Sequence, residues 1–169
     1  MGNKEDVSAQ ELLIEACRSN QADLIRQAYE EVNEDQFAEL LNSTTDSVGN
    51  HCLHICVMYQ SVYTLDCLLD QTGLEVDILT RVDGETPLHL AARFVEEDVD
   101  LGYYIIQLLI DAGSDPRLKN KYGLKPRDLL PPEIGYTVGA IREALDNAEL
   151  GMEIEERLSK GEPSENLNS

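Results

Sequence analysis

Residues 84–92 read Gly84-Glu85-Thr86-Pro87-Leu88-His89-Leu90-Ala91-Ala92, and this order of residue types describes a turn running into a helix. Glycine turns the chain without a Cβ clash. A threonine hydroxyl accepts one of the free N–H groups at a helix start. Proline suits the first helical turn, where its missing N–H costs nothing. Leu88 and Leu90 are the residues to bury, and Ala91 and Ala92 are small enough to let a neighbouring helix approach.

Working outward, the same pattern recurs. Residues 49–57 read Gly49-Asn50-His51-Cys52-Leu53-His54-Ile55-Cys56-Val57, and the Leu-His pair repeats at a spacing of 35. Residues 123–130 read Gly123-Leu124-Lys125-Pro126-Arg127-Asp128-Leu129-Leu130, with Gly123 39 residues after Gly84. A second apolar stretch follows each start, at Leu65, Leu68 and Leu69 and at Ile105, Ile106, Leu108, Leu109 and Ile110. Each ends near a glycine, Gly73 or Gly113, as helices commonly do. Such periodicity marks a solenoid of helix–turn–helix units.

Thr86-Pro87-Leu88-His89-Leu90-Ala91-Ala92, then Leu108-Leu109, then Ala112-Gly113-Ser114-Asp115, resembles an ankyrin repeat, whose period is about 33 residues. The longer spacings imply insertions of two and six residues, the six within Phe94–Gly102. The resemblance implies an all-α solenoid of about four stacked units with short hairpin fingers. The units fall at about 8–32, 46–78, 81–117 and 120–149, with an extra helical segment at 33–45 and an acidic tail at 150–169. The stretch Asp115–Pro126 is also similar to small cytosolic ankyrin-repeat proteins of fungi.

The outer units depart from the pattern. Ser8-Ala9-Gln10-Glu11 forms a capping box before Leu12, Leu13, Ala16 and Cys17. Leu24, Ile25 and Ala28 mark the partner helix, and Asp35–Leu41 reads as a short extra helix. In the last unit Arg127 and Asp128 replace Leu-His, Pro131-Pro132 cuts the first helix short, and Val138, Ile141 and Leu145 mark the second. Terminal units carry polar outer faces because no neighbour covers them. In the tail, Leu150, Ile154 and Leu158 recur at helical spacing, against Gly151. Ser159–Asn166 lacks apolar residues and reads as disordered.

The chain has 169 residues, 42% of them apolar, and a formal charge of −20. That composition supports a packed core. It argues against nucleic acid, which needs Lys and Arg to displace counterions, and against an anionic membrane surface. The charge is uneven: residues 113–142 carry +3, whereas 1–50, 51–112 and 143–169 carry −8, −9 and −6. This basic island is either a solvated surface or a contact, for an acidic partner or for the protein's own acidic tail. Residues 1–6 lack the apolar stretch of a secretory leader, and Asp6 spoils the myristoylation pattern after Gly2. Cytoplasmic residence, with nuclear entry open, and free thiols at Cys17, Cys52, Cys56 and Cys67 are the expectations.

No catalytic pattern accompanies these features. There is no phosphate loop and no nucleophile elbow, and His51, His54, Cys52 and Cys56 lie too close along the chain for a comfortable zinc site. The expectation is no enzyme, no cofactor and no metal. The resemblance assigns the motif histidines, His54 and His89, to bonding the backbone of a neighbouring finger. His51 stands where the family prefers threonine, and Thr44, Thr45 or Asp46 are alternatives for the turn.

The same resemblance implies a partner-binding surface of fingertips and first-helix faces. It comprises Ser47, Val48, Asn50, Met58 and Tyr59 in the second unit; Val82, Asp83, Glu85, Arg93 and Phe94 in the third; and Lys121, Tyr122 and Leu124 in the fourth. Arg18 and Ser19 are the weaker candidates of the first. Tyr59, Arg93, Phe94 and Tyr122 stand at its centre, Tyr and Arg being favoured at hot spots. The expected function is a monomeric protein-binding adaptor or regulator. The alternatives are an acidic escort for a basic client such as a ribosomal protein or histone, and a stoichiometric enzyme inhibitor, as some short ankyrin stacks are for cyclin-dependent kinases.

Overall fold

The computed structural model describes residues 7–132 and 135–161. The motif behaves as its residue types dictate. Thr86 Oγ1 accepts from the His89 N–H and Pro87 opens helix α6, Pro87–Phe94. Gly84 and Gly123 turn their fingers at φ +62° and +77°, in the left-handed region. Helix α4, Cys52–Met58, repeats α6. The first unit pairs α1, Ala9–Ser19, with α2, Asp23–Glu30, and its capping box is complete. Helix α3, Glu34–Ser43, is the extra segment.

The second helices are α5, Val62–Leu69, and α7, Val99–Asp111. The six-residue insertion is thus spent mainly on lengthening α7. In the last unit a 3-10 turn, Pro126–Leu129, stands in for the first helix, and α8 runs Tyr136–Ser159. Two rows result. The first helices pack in the order α1, α4, α6 and the 3-10 turn, and the second helices in the order α5, α7, α8. Among the described residues there is no strand, only one isolated bridge, Thr45 to His51. The fold is an all-α repeat solenoid, and among the described residues no helix is long and apolar enough to cross a membrane.

The core lies between units. Leu53 and Leu88 are buried in equivalent slots on adjacent first helices, and Leu65, Leu68, Ile106 and Leu109 line the second row. Val138, Ile141 and Leu145 are buried on α8 as expected. Cys17, Cys52 and Cys56 are buried and free, and Cys67 is half-buried. Contact with the Cys17 thiol, together with burial, holds the Cys52 thiol well above the ordinary value. Buried Thr64 ties the rows together: its hydroxyl donates to the Ala16 carbonyl at 3.1 Å and its N–H to Asn20 Oδ1 at 3.0 Å.

The end of the chain departs from expectation. The boundary expected at 149/150 falls inside α8, which passes through Gly151 without a break. The disorder expected for Ser159–Asn166 does not hold at Ser159, the last residue of α8, with Lys160 as its C-cap; residues 162–166 of that stretch and the myristoylation pattern at residues 1–6 lie outside the described residues.

Candidate functional site

The fingers are built by one polar side chain each. Asp46 accepts from the N–H groups of Val48, Gly49 and Asn50 at 2.9–3.0 Å. Thr80 Oγ1 accepts from the Glu85 N–H at 3.0 Å. Asn120 Oδ1 accepts from the N–H groups of Tyr122 and Leu124 at 3.0 Å. These three occupy one column of the repeat, which the sequence reading did not isolate except for Asp46. Desolvation works to raise the Asp46 carboxyl, but its three backbone bonds and a fourth, donated by Asn50 Nδ2 at 3.0 Å, keep it below the usual value.

Neighbouring fingers are fastened together. Arg81 donates from Nη2 to the Ser47 carbonyl at 2.9 Å and from Nε to the Val48 carbonyl at 3.3 Å. Lys121 Nζ donates to the Val82 carbonyl at 2.9 Å, and the Tyr122 hydroxyl to Asp83 at 3.1 Å. The Lys121 ammonium also lies 5.1 Å from the Tyr122 ring centre. The fingertips therefore form a cross-braced surface, and the missed residue is Arg81, the brace itself.

On this surface Ser47, Val48, Met58, Tyr59, Val82, Lys121, Tyr122 and Leu124 are exposed, and Asn50 and Asp83 partly so. Arg18 and Ser19 lie at the end of α1, the first exposed and the second partly buried. Two of the expected contact residues are not on the surface. Phe94 is only 8% exposed and belongs to the core. Glu85 is 2% exposed; its carboxylate receives Arg93 Nη2 at 2.7 Å and Asn120 Nδ2 at 3.0 Å. The Arg93 side chain is half exposed, but its guanidinium is committed to Glu85. That partner holds the guanidinium above its usual value.

The motif histidines bond as the resemblance implied. His54 Nε2 donates to the Glu85 carbonyl at 2.8 Å, and His89 Nε2 to the Leu124 carbonyl at 2.9 Å. Each Nδ1 accepts a backbone N–H, from His51 at 3.1 Å and Thr86 at 3.2 Å. Both nitrogens of each ring are thus occupied, which fixes the neutral tautomer. Burial pushes His54 down to about 4 and lowers His89 as well. His51 starts α4 without a side-chain cap, its Nδ1 unpartnered. Among the described residues no three His, Cys, Asp or Glu side chains converge as a metal ion would need.

The basic island meets the protein's own last helix. Arg117 Nη2 lies 2.7 Å from Glu156, Lys125 Nζ 2.6 Å from Glu149, and Arg127 Nε 2.7 Å from Asp146. Arg117 also pairs with Asp115 at 2.9 Å. These contacts lower the Asp115 and Glu156 carboxyls and raise Lys125. Of the three acids on α8, only Glu156 lies in the stretch expected as the acidic tail, so the tail contact weighed for the island is present at Arg117 alone.

The sequence comparisons agree with this architecture. A family model for ankyrin repeats, in three copies, matches residues 13–120. A Saccharomyces cerevisiae protein named ankyrin repeat-containing protein YGL242C is 36% identical over 154 residues, covering 89% of this chain and 83% of that protein.

Proposed function

Since the chain belongs to the ankyrin-repeat family, we propose that it is a non-catalytic adaptor or regulator that docks another protein across its fingertips and first-helix ends. Ankyrin repeats generally serve as protein-interaction modules, and the family is typically non-catalytic. The observation that carries the reading is the exposure of Met58, Tyr59, Val82 and Tyr122 beside a braced set of fingers. Large side chains held on a rigid frame lose little freedom on binding, which favours affinity. The contact set is then Ser47, Val48, Asn50, Met58, Tyr59, Val82, Asp83, Lys121, Tyr122 and Leu124. Cytoplasmic residence fits this role.

The escort reading retains one specific support. In the basic fingertip, which spoils an acidic cradle, Lys125 and Arg127 pair with α8, as does nearby Arg117, which offsets part of that positive charge on an otherwise acidic surface. The two readings differ in their salt response, because exposed charges are screened and apolar contacts are not.

The experiment is affinity capture from cell lysate at low and high salt, comparing the wild type with a Tyr59→Ala/Tyr122→Ala variant. Adaptor docking gives a protein that survives high salt and is lost from the variant. Retention of that protein by the variant overturns the assignment of the surface. Loss at high salt with retention by the variant favours the escort.

A further inference from the structure

The second-helix side of the stack is not closed evenly. Helix α7 packs closely on α8, whereas α5 meets α7 only sparsely and α2 meets α5 no more closely than that. Helix α3 is wedged into that corner. Its buried Phe37 meets Tyr29 edge to face, with ring centres 5.0 Å apart. Asn42 donates to the Gly73 carbonyl at 2.8 Å and accepts from the Glu75 N–H at 2.8 Å. A Cβ at Gly73 would lie 2.9 Å from that of Ala38, so α3 sits hard against the loop after α5.

Two hollows open beside this corner. One, of about 350 Å³, lies between α2 and α5, floored by Ala22, Ile25 and Cys67. The other, of about 570 Å³, lies against α3 and carries Glu34 and Asp35. Tyr29 and Gln71 line both, so the hollows form one trough with the half-exposed Tyr29 ring at its saddle. Asp66 and Asp70 are the exposed chain neighbours of Cys67 and Gln71 on α5, and Asp23 that of Ala22 at the start of α2; none of the three lines the hollow itself, but after burial their charges raise the Cys67 thiol. Among the described residues, Arg26 is the only base lining either hollow.

We propose that this trough docks an extended basic segment of a partner protein, with one Arg or Lys beside Asp23, Asp66 and Asp70 and a second toward Glu34 and Asp35. The chemistry matches part by part. The methylene stems of Lys and Arg cover apolar floors while their heads stay wet. An aromatic ring attracts a cation placed over its face, and carboxylates receive guanidinium groups in paired bonds. A second copy of this chain is a poor occupant, because Arg117, Lys125 and Arg127 are already tied to α8. This surface belongs to α2, α3 and α5 and stands apart from the fingertip reading.

The test titrates the full chain, labelled with ¹⁵N, with a synthetic peptide of alternating arginine and alanine, and with the same peptide carrying glutamine for arginine. Amide shifts are expected to cluster at Arg26, Tyr29, Ala38, Cys67 and Gln71, and only with the arginine peptide. Asp66→Asn combined with Asp70→Asn weakens binding about tenfold. Arg26→Gln tightens it about threefold, an outcome that a damaged fold cannot produce. Met58→Ala with Tyr59→Ala leaves it unchanged, which separates this site from the fingertips. Shifts scattered over every acidic surface, no binding at low salt, or indifference to both the Asp66/Asp70 pair and Arg26 overturns the proposal.

Discussion

His54 of one unit donates its Nε2 hydrogen to the carbonyl oxygen of Glu85 in the next, at 2.8 Å, and the His89–Leu124 contact repeats the bond one unit along. These bonds require a neutral ring, because Nδ1 must accept a backbone N–H. Burial depresses His54 to about 4, while the unfolded chain keeps a value near ~6.5. As pH falls the unfolded state therefore takes the proton first. The stabilisation is whole above about pH 6.5 and is lost as pH falls toward 4. The expected loss at His54 is ~3 kcal/mol, at ~1.4 kcal/mol per unit. Urea unfolding of the wild type and His54→Gln, near neutrality and near pH ~4.5, checks this. The wild type should lose more stability than the variant on acidification; equal losses would refute the assignment.

Leu53→Ala and Leu88→Ala should each cost about 3 kcal/mol, since both side chains fill closed slots between first helices. Met58→Ala, on an exposed side chain, should stay within ~0.5 kcal/mol. Denaturant midpoints measure both. A small effect at either leucine would contradict the shared interior.

Arg93, expected at the centre of the contact surface, is the counterion of a buried acid. Arg93→Ala should destabilise the fold by about 2 kcal/mol, because Glu85 is left buried with Asn120 as its remaining side-chain partner. The figure is reduced from that for a wholly buried pair because the Arg93 side chain is half exposed. Glu85→Gln in the Arg93→Ala background should recover much of the loss, and thermal unfolding reads out both. No recovery would mean that Arg93 acts through packing alone.

The basic island and α8 form a ladder of ion pairs at the surface. Lys125→Gln with Arg127→Gln should speed amide hydrogen exchange in the second half of α8, with under ~1 kcal/mol change in global stability. Raised salt should act in the same direction on the wild type. Unaltered exchange in both cases would show that apolar packing alone holds that segment.

How far the sequence could be read follows from the range of each interaction. Thr86, Pro87 and Leu88 act within one unit, and their spacing revealed the helices and the slots, while the histidine bonds came from the family resemblance. Glu85 and Phe94 were misplaced because their burial depends on neighbours beyond their own turn: Glu85 bonds Asn120, 35 residues away. Gly151 argued against a helix on propensity, but Glu149 is anchored to Lys125 in the last finger and Glu156 to Arg117 of the preceding unit, and propensity is a weak prior against such contacts. The trough beside Tyr29 was invisible, since it arises from how α3 seats against the loop at Gly73. The fingertip residues of the second and fourth units were reached through the repeat register, whereas the Arg81 brace needed two fingers in view at once.

The most direct test of the proposed role is hydrogen–deuterium exchange of the protein alone and with the partner captured by the fingertip-dependent assay. The account predicts protection confined to residues 47–50, 58–59, 82–83 and 121–124. Protection that leaves all four segments unchanged while another face is covered would contradict it.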